Sequence, residues 1–102
     1  MGYTDSVIEI RQTMEYESWF EKLRDAQAKA RILARIRRLS LGNLGDIKSV
    51  GEGVSELRIT CGPVYRIYVK QQGAVLVILL VGGDNSSQKH DIERAKDLAR
   101  DL

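Results

Sequence analysis

A single cysteine, Cys61, rules out an internal disulfide and any cysteine-based zinc site. A reduced, cytoplasmic setting is the matching expectation. Histidine is equally scarce: His90 stands alone and the acidic residues are scattered, so neither a metal site nor a cofactor is expected. Long hydrophobic runs are missing too. The longest, Ala74 to Val81, is eight residues, against the ~20 that span a bilayer. The N-terminus has no apolar signal-peptide core, and its Met-Gly start fits the myristoylation pattern only in part. A soluble, unanchored protein is the expectation. No P-loop, no glycine fingerprint after a strand, no nucleophile elbow and no HExxH is present. The net charge is only +2. That is compatible with an RNA or acidic-protein partner without requiring one, because clustering rather than the sum marks such surfaces.

What is present suits one domain, residues 1–102, with a modest core: 43% of residues are apolar and 29% charged. Residues 6–11, SVIEIR, alternate as a half-buried strand. Ser18 and Glu21 then have the spacing of a capping box. Trp19, Leu23, Ala26, Ala30 and Leu33, joined by Ile32, Ile36 and Leu39, recur at helical steps to about Leu41. Asp25, a weak helix former, marks a break into two helices, and Gly42-Asn43 is a ready C-cap. Arg31, Arg35 and Arg38 share one helical face, with Lys29 and Arg37 nearby. Two readings stand: a solvated face with cations favoured by the helix dipole, or a stripe that contacts phosphates or a partner. Residues 42–53 carry four glycines and read as a long loop, of the kind that is commonly functional, with Lys48 its only cation.

Three strands follow. Val54–Thr60 and Val64–Lys70 alternate around a turn at Cys61-Gly62-Pro63, and Ala74–Val81, apolar throughout, reads as the central strand. Gln71-Gln72-Gly73 reads as the second turn and Gly82-Gly83 as the end of the last strand. Asn85 and Gln88 have capping-box spacing at the start of a final helix striped by Ile92, Ala95, Ala99 and Leu102.

The three-residue turn sets a register in which paired residue numbers sum to 124. Arg58 then faces Arg66 and Glu56 faces Tyr68, while Leu57 meets Ile67 and Ile59 meets Tyr65 on the apolar side. Like charges directly opposite are destabilising. Either Glu56 or another carboxylate bridges the arginines, or they hold a phosphate in bidentate guanidinium forks. The same counting in the second hairpin sets Arg66 opposite Ile78, over an apolar floor. His90 falls in the first turn of the last helix, where the dipole disfavours the imidazolium and leaves a candidate proton acceptor. Lys89 sits beside it, about 100° around the helix.

The motifs GNLGDIKSVGEGVSELRI, GPVYRIY and LLVGGDNSSQKHDIERAKDL resemble the RelE/ParE superfamily of bacterial toxins, in its addiction-module killer branch near the HigB type. The resemblance covers nearly the whole chain. It implies an α+β fold in which an N-terminal strand and a helical hairpin pack on a mostly antiparallel four-stranded sheet, with a C-terminal helix. It further implies the toxin of a type II toxin–antitoxin module, a ribosome-dependent, metal-independent mRNA endoribonuclease that inhibits translation. Its partners would be the ribosome, mRNA and a cognate antitoxin, for which a helix-turn-helix protein is one candidate, with DNA reached only through that antitoxin. Arg66 of YRIY matches the family arginine; Arg58 and Glu56 match basic and polar positions on the preceding strand. Lys89 and His90 fall near the C-terminal catalytic positions, although Gly83-Asp84 stands where RelE itself has a basic pair. The catalytic set is thus Arg66, Arg58, His90 and Lys89, and the RNA-contacting set Lys48, Arg31, Arg35, Arg38 and Tyr68. ParE relatives share the fold without ribonuclease chemistry, so a toxin acting on a protein such as gyrase, or a member that only binds its antitoxin, are the alternatives.

Overall fold

The computed structural model describes residues 8–74 and 76–102; the first two residues of the strand expected at 6–11 lie outside them. The elements run β1 (Glu9–Gln12), α1 (Met14–Lys22), α2 (Ala26–Ser40), β2 (Ile47–Gly51), β3 (Val54–Thr60), β4 (Val64–Gln72), β5 (Leu76–Asp84), a 3-10 turn (Asn85–Ser87) and α3 (Gln88–Arg100). The strands form one sheet in the order β1-β5-β4-β3-β2. β1 runs parallel to β5 and the other neighbours are antiparallel. The class is α+β as expected, but the sheet has five strands rather than four. The extra one is β2, from the glycine-rich segment expected to be loop. Glu52 and Gly53, both at positive φ, close a tight turn that returns β2 onto β3. A register shift between Ser49 and Gly51 breaks the alternation that would have disclosed the strand.

The helical hairpin breaks where Asp25 stands. Its carboxylate accepts from the Ala28 N–H at 3.1 Å and caps α2. At the first helix the cap is Thr13, accepting from the Tyr16 N–H at 3.0 Å, so Ser18 lies in mid-helix instead of opening it. The break also re-phases the inward face. Ala26, Ala30 and Leu33 are exposed, and Ala28, Ile32, Arg35 and Leu39 turn inward at steps of four, three and four. Gly42, at φ 92, ends α2 as anticipated.

β3 and β4 pair in the expected register, Arg58 opposite Arg66 and Glu56 opposite Tyr68. That register gives each sheet face its own core. Leu57, Ile59, Ile67, Val69, Val77 and Leu79 pack under α1 and α2 with Ile32 and Leu39. Val54, Tyr68, Ile78 and Leu80 pack under α3 with Ala95 and Ala99. The second hairpin departs from expectation. β4 continues through Gln72 and turns at Gly73, with a register shift between Tyr68 and Val69, so Arg66 faces Gly83 rather than Ile78. β4, not β5, is the central strand, although β5 is buried from Val77 to Gly83.

Nor do Gly82 and Gly83 end the strand. They continue β5 because each leaves a slot on one face. A Cβ on Gly82 would overlap the indole of Trp19, and one on Gly83 would overlap the Asp91 carboxylate. Trp19 is held by the rings of Tyr16 at 5.8 Å and Tyr65 at 6.3 Å and cannot simply step aside. Gly82→Ala is therefore expected to cost about 1–3 kcal/mol by overpacking, read from urea unfolding. A cost near zero would show that the indole does not fill the slot. Asp25→Ala should cost about 1 kcal/mol by loss of the α2 cap, whereas Ser18→Ala should change stability by only a few tenths of a kcal/mol. The same titrations compare the two, and the reverse ranking would mean that the hairpin breaks elsewhere.

Candidate functional site

Arg66 and Glu56 lie diagonally across the β3–β4 pair, beneath the start of α3, and are only 8% and 4% exposed. The Arg66 Nε is 3.3 Å from Glu56 Oε1, too poorly aligned for a hydrogen bond and without another partner, so charge rather than hydrogen bonding joins them there. At its other end the guanidinium donates from Nη1 to Asn85 Oδ1. Glu56 in turn accepts from Gln88 Nε2 at 3.1 Å. Two buried ions thus compensate one another, with a side-chain amide steadying each. Asn85 and Gln88 have the spacing of a capping box, and the structure uses both for this cluster. Asp84 caps the 3-10 turn instead, accepting from the Ser86 N–H at 2.9 Å. Hydrogen bonds from the Ser86 hydroxyl and N–H hold the Asp84 carboxyl below its ordinary range.

The expected like-charge conflict is resolved by separation. Glu56 bridges to Arg66 alone, while Arg58 is exposed at the sheet edge. β2 reaches only as far as Leu57, so Arg58 to Thr60 have no strand on that side among the described residues. There Arg58, Ile59 and Thr60 border a cleft of about 590 Å³ whose other wall is Arg31, Ala34, Arg35, Arg37 and Arg38 of α2. The helix stripe and one of the two strand arginines therefore meet, and Arg37 joins them. Among the described residues, none of Arg31, Arg37, Arg38 and Arg58 lies within ion-pair distance of a carboxylate. Arg35 differs in being buried. Its Nη2 donates to the Asp46 carbonyl at 3.0 Å, and burial, then the charge of Arg38, lowers its pKa.

Tyr68, expected to contact RNA, offers it no surface in this conformation. It is wholly buried in the core under α3, with its hydroxyl unpartnered among the described residues. Burial, then the neighbouring Glu56 and Asp91 carboxylates, push its phenol pKa up. Lys48 is exposed on β2 directly opposite Glu56, and so on the same sheet face as the ion pair. Lys89 and His90 are exposed and diverge. Lys89 borders a groove with Ile92, Glu93 and Lys96. His90 lies towards α1, where Arg94 donates from Nε to Glu15 at 2.8 Å. That hydrogen bond, together with the charges of Arg94 and His90, lowers the Glu15 carboxyl. The four residues of the expected catalytic set are thus spread over four places in this conformation.

Sequence reading missed three participants. Asn85 and Gln88 looked like caps because residue spacing cannot distinguish a side chain that turns to its own helix from one that reaches the sheet. Arg37 lies off the i, i+4, i+7 face that Arg31, Arg35 and Arg38 share. The available signal was the density of arginine in Arg31–Arg38, four in eight residues.

No family model matches the chain. An uncharacterised protein of Haemophilus influenzae is 56% identical over 95 residues, covering 93% of this chain and 96% of that protein. Among solved structures, a free-state mutant of the Escherichia coli toxin RelE superposes with a TM-score of 0.69 over 95% of this chain and 99% of that one, at 13% identity. That likeness establishes the fold, with three helices and a five-stranded sheet. The chain belongs to the same family as the H. influenzae protein, and the architecture it carries is that of the RelE toxin.

Proposed function

We propose that the chain is the toxin of a type II toxin–antitoxin module, of the HigB-like branch, and that it cleaves mRNA on the ribosome without a metal. The observation that supports this most is the Glu56–Arg66 pair, a carboxylate and a guanidinium side by side on the RelE fold. In RNA the 2′-hydroxyl attacks the adjacent phosphorus and the bond to the 5′-oxygen breaks. A base must take the 2′ proton, an acid must supply one to the 5′-oxygen, and a cation must meet the charge that builds on the phosphorane. Glu56 is the base in this reading and Arg66 the cation. Lys48, on the same sheet face, adds positive charge at the rim. Substrate has to draw Arg66 away from Asn85, because the guanidinium is closed in by the 3-10 turn. His90 or Lys89 would then supply the leaving-group proton, after α3 has shifted towards the site. The bound antitoxin would keep the protein inactive in the cytoplasm.

A second reading has its own support. Arg66 is committed to Glu56 and Asn85, and Lys89 and His90 point away. Such a chain would suit a non-enzymatic toxin that acts on a protein target such as gyrase, or a member whose remaining role is to bind its antitoxin.

Primer extension on ribosome-bound mRNA after induction separates these. Glu56→Gln and Arg66→Ala are each expected to lower cleavage by about 10²-fold or more. Either change also strands a buried charge or removes its partner, at about 3–5 kcal/mol, so thermal unfolding must show that the variants remain folded at the assay temperature. Arg66→Lys keeps the charge and should recover part of the activity. Uncut message accompanied by DNA damage would select the protein-target reading.

A further inference from the structure

Five arginines meet in the cleft between α2 and β3, and no carboxylate among the described residues lines it. The chain has 16 basic and 14 acidic residues in all, so this cleft holds a local excess that the overall charge conceals. The cost of the crowding is visible at Arg35, whose pKa the charge of Arg38 depresses beyond the effect of burial. Cations so placed call for an anionic occupant.

A second observation says what form the anion takes. β3 is paired with β2 from Val54 to Leu57 and then runs on to Thr60 with, among the described residues, no strand on its outer side. A strand edge of this kind presents peptide groups with no partner on the outer side. The chain itself is kept off that edge. Residues 42–46 lead into β2 and would, if extended, continue alongside Arg58 to Thr60. Gly45, at φ 61, turns them away instead, and Arg35 holds the Asp46 carbonyl at 3.0 Å. The two fit closely: a Cβ on Gly45 would lie 2.8 Å from the Arg35 guanidinium carbon. One buried arginine thus latches the approaching loop to α2, leaving both the edge and the exposed arginines open.

We propose that this cleft seats an extended acidic peptide segment of a partner protein, added as a strand to β3 at Arg58–Thr60 where β2 ends. Carboxylates on the strand would meet the exposed Arg31, Arg37 and Arg38 across the cleft, while the strand's backbone pairs with β3. The phosphates of an RNA would satisfy the arginines and the peptide N–H groups of the edge but, having no donor, not its carbonyls. An acidic strand satisfies all three. This surface is distinct from the Glu56–Arg66 cluster, and its occupancy does not depend on whether the chain cuts RNA.

The test uses the full chain and a fluorescein-labelled peptide of alternating glutamate and threonine, with a lysine–threonine peptide and a single-stranded RNA oligonucleotide as the other arms. Fluorescence anisotropy reports binding, and amide hydrogen exchange of the wild-type protein reports where. The glutamate peptide is expected to bind, to slow exchange at residues 58–60, and to lose about tenfold in affinity when Arg31→Glu and Arg38→Glu are combined. Both arginines are exposed, so circular dichroism should show the double variant folded; the exchange result on the wild type stands apart from it. The lysine peptide should not bind. Failure of the glutamate peptide to bind overturns the proposal. So does binding without protection at 58–60, and so does RNA binding with the same arginine dependence in place of the peptide's.

Discussion

A three-residue turn at Cys61 to Pro63 fixes β3 against β4, and most of the molecule depends on that alignment. Side chains alternate along a strand, so a slip of one residue would exchange the two faces. Leu57, Ile59, Ile67 and Val69 would leave the core beneath α1 and α2, and Glu56 and Arg66 would be driven into it. The register is thus held by two apolar cores at once, and it places one carboxylate and two arginines on the α3 side of the sheet. Where those arginines go is then decided by what lies beyond them. Arg66, near the middle of the sheet, must be neutralised by Glu56 because it is buried. Arg58, at the unpaired end of β3, turns to the cleft.

The same reasoning explains the glycines of β5. A strand interior rarely favours glycine, yet Gly82 and Gly83 lie within it, one admitting an indole and the other a carboxylate on the opposite face. Asp91, seated against Gly83, takes a hydrogen bond from the Ser87 hydroxyl at 2.6 Å and fixes the first turn of α3 over the ion pair. Lys70 secures the other end of that helix, donating to the Ala99 carbonyl at 3.1 Å. The site is therefore closed by a helix anchored at both ends, with the Asn85–Ser87 turn as its front edge.

Much of this was legible in the residues. Hydrophobic period gave both helices of the hairpin, and the turn length gave the register that pairs Arg58 with Arg66. It failed where one local signal has two meanings. Glycine in residues 42–53 suggested loop and hid β2, whose alternation is interrupted by an irregularity. Glycine at 82–83 suggested a strand end and hid two packing slots. Asn85 and Gln88 suggested a cap and hid the amides that steady the ion pair. Tyr68 shares a face with Arg66, which suggests contact with RNA, but that face is covered by α3. Alternation tells which residues share a side of a sheet; it does not tell which helix will lie on it.

The central claim is that a carboxylate–guanidinium pair carries out cleavage through the neighbouring 2′-hydroxyl. The chemical ends of the fragments cut from ribosome-bound mRNA test it most directly. Attack by the 2′-hydroxyl leaves a 2′,3′-cyclic phosphate on one fragment and a 5′-hydroxyl on the other, in the presence of a chelator as in its absence. Fragments bearing 3′-hydroxyl and 5′-phosphate ends, or cleavage abolished by the chelator, would contradict it.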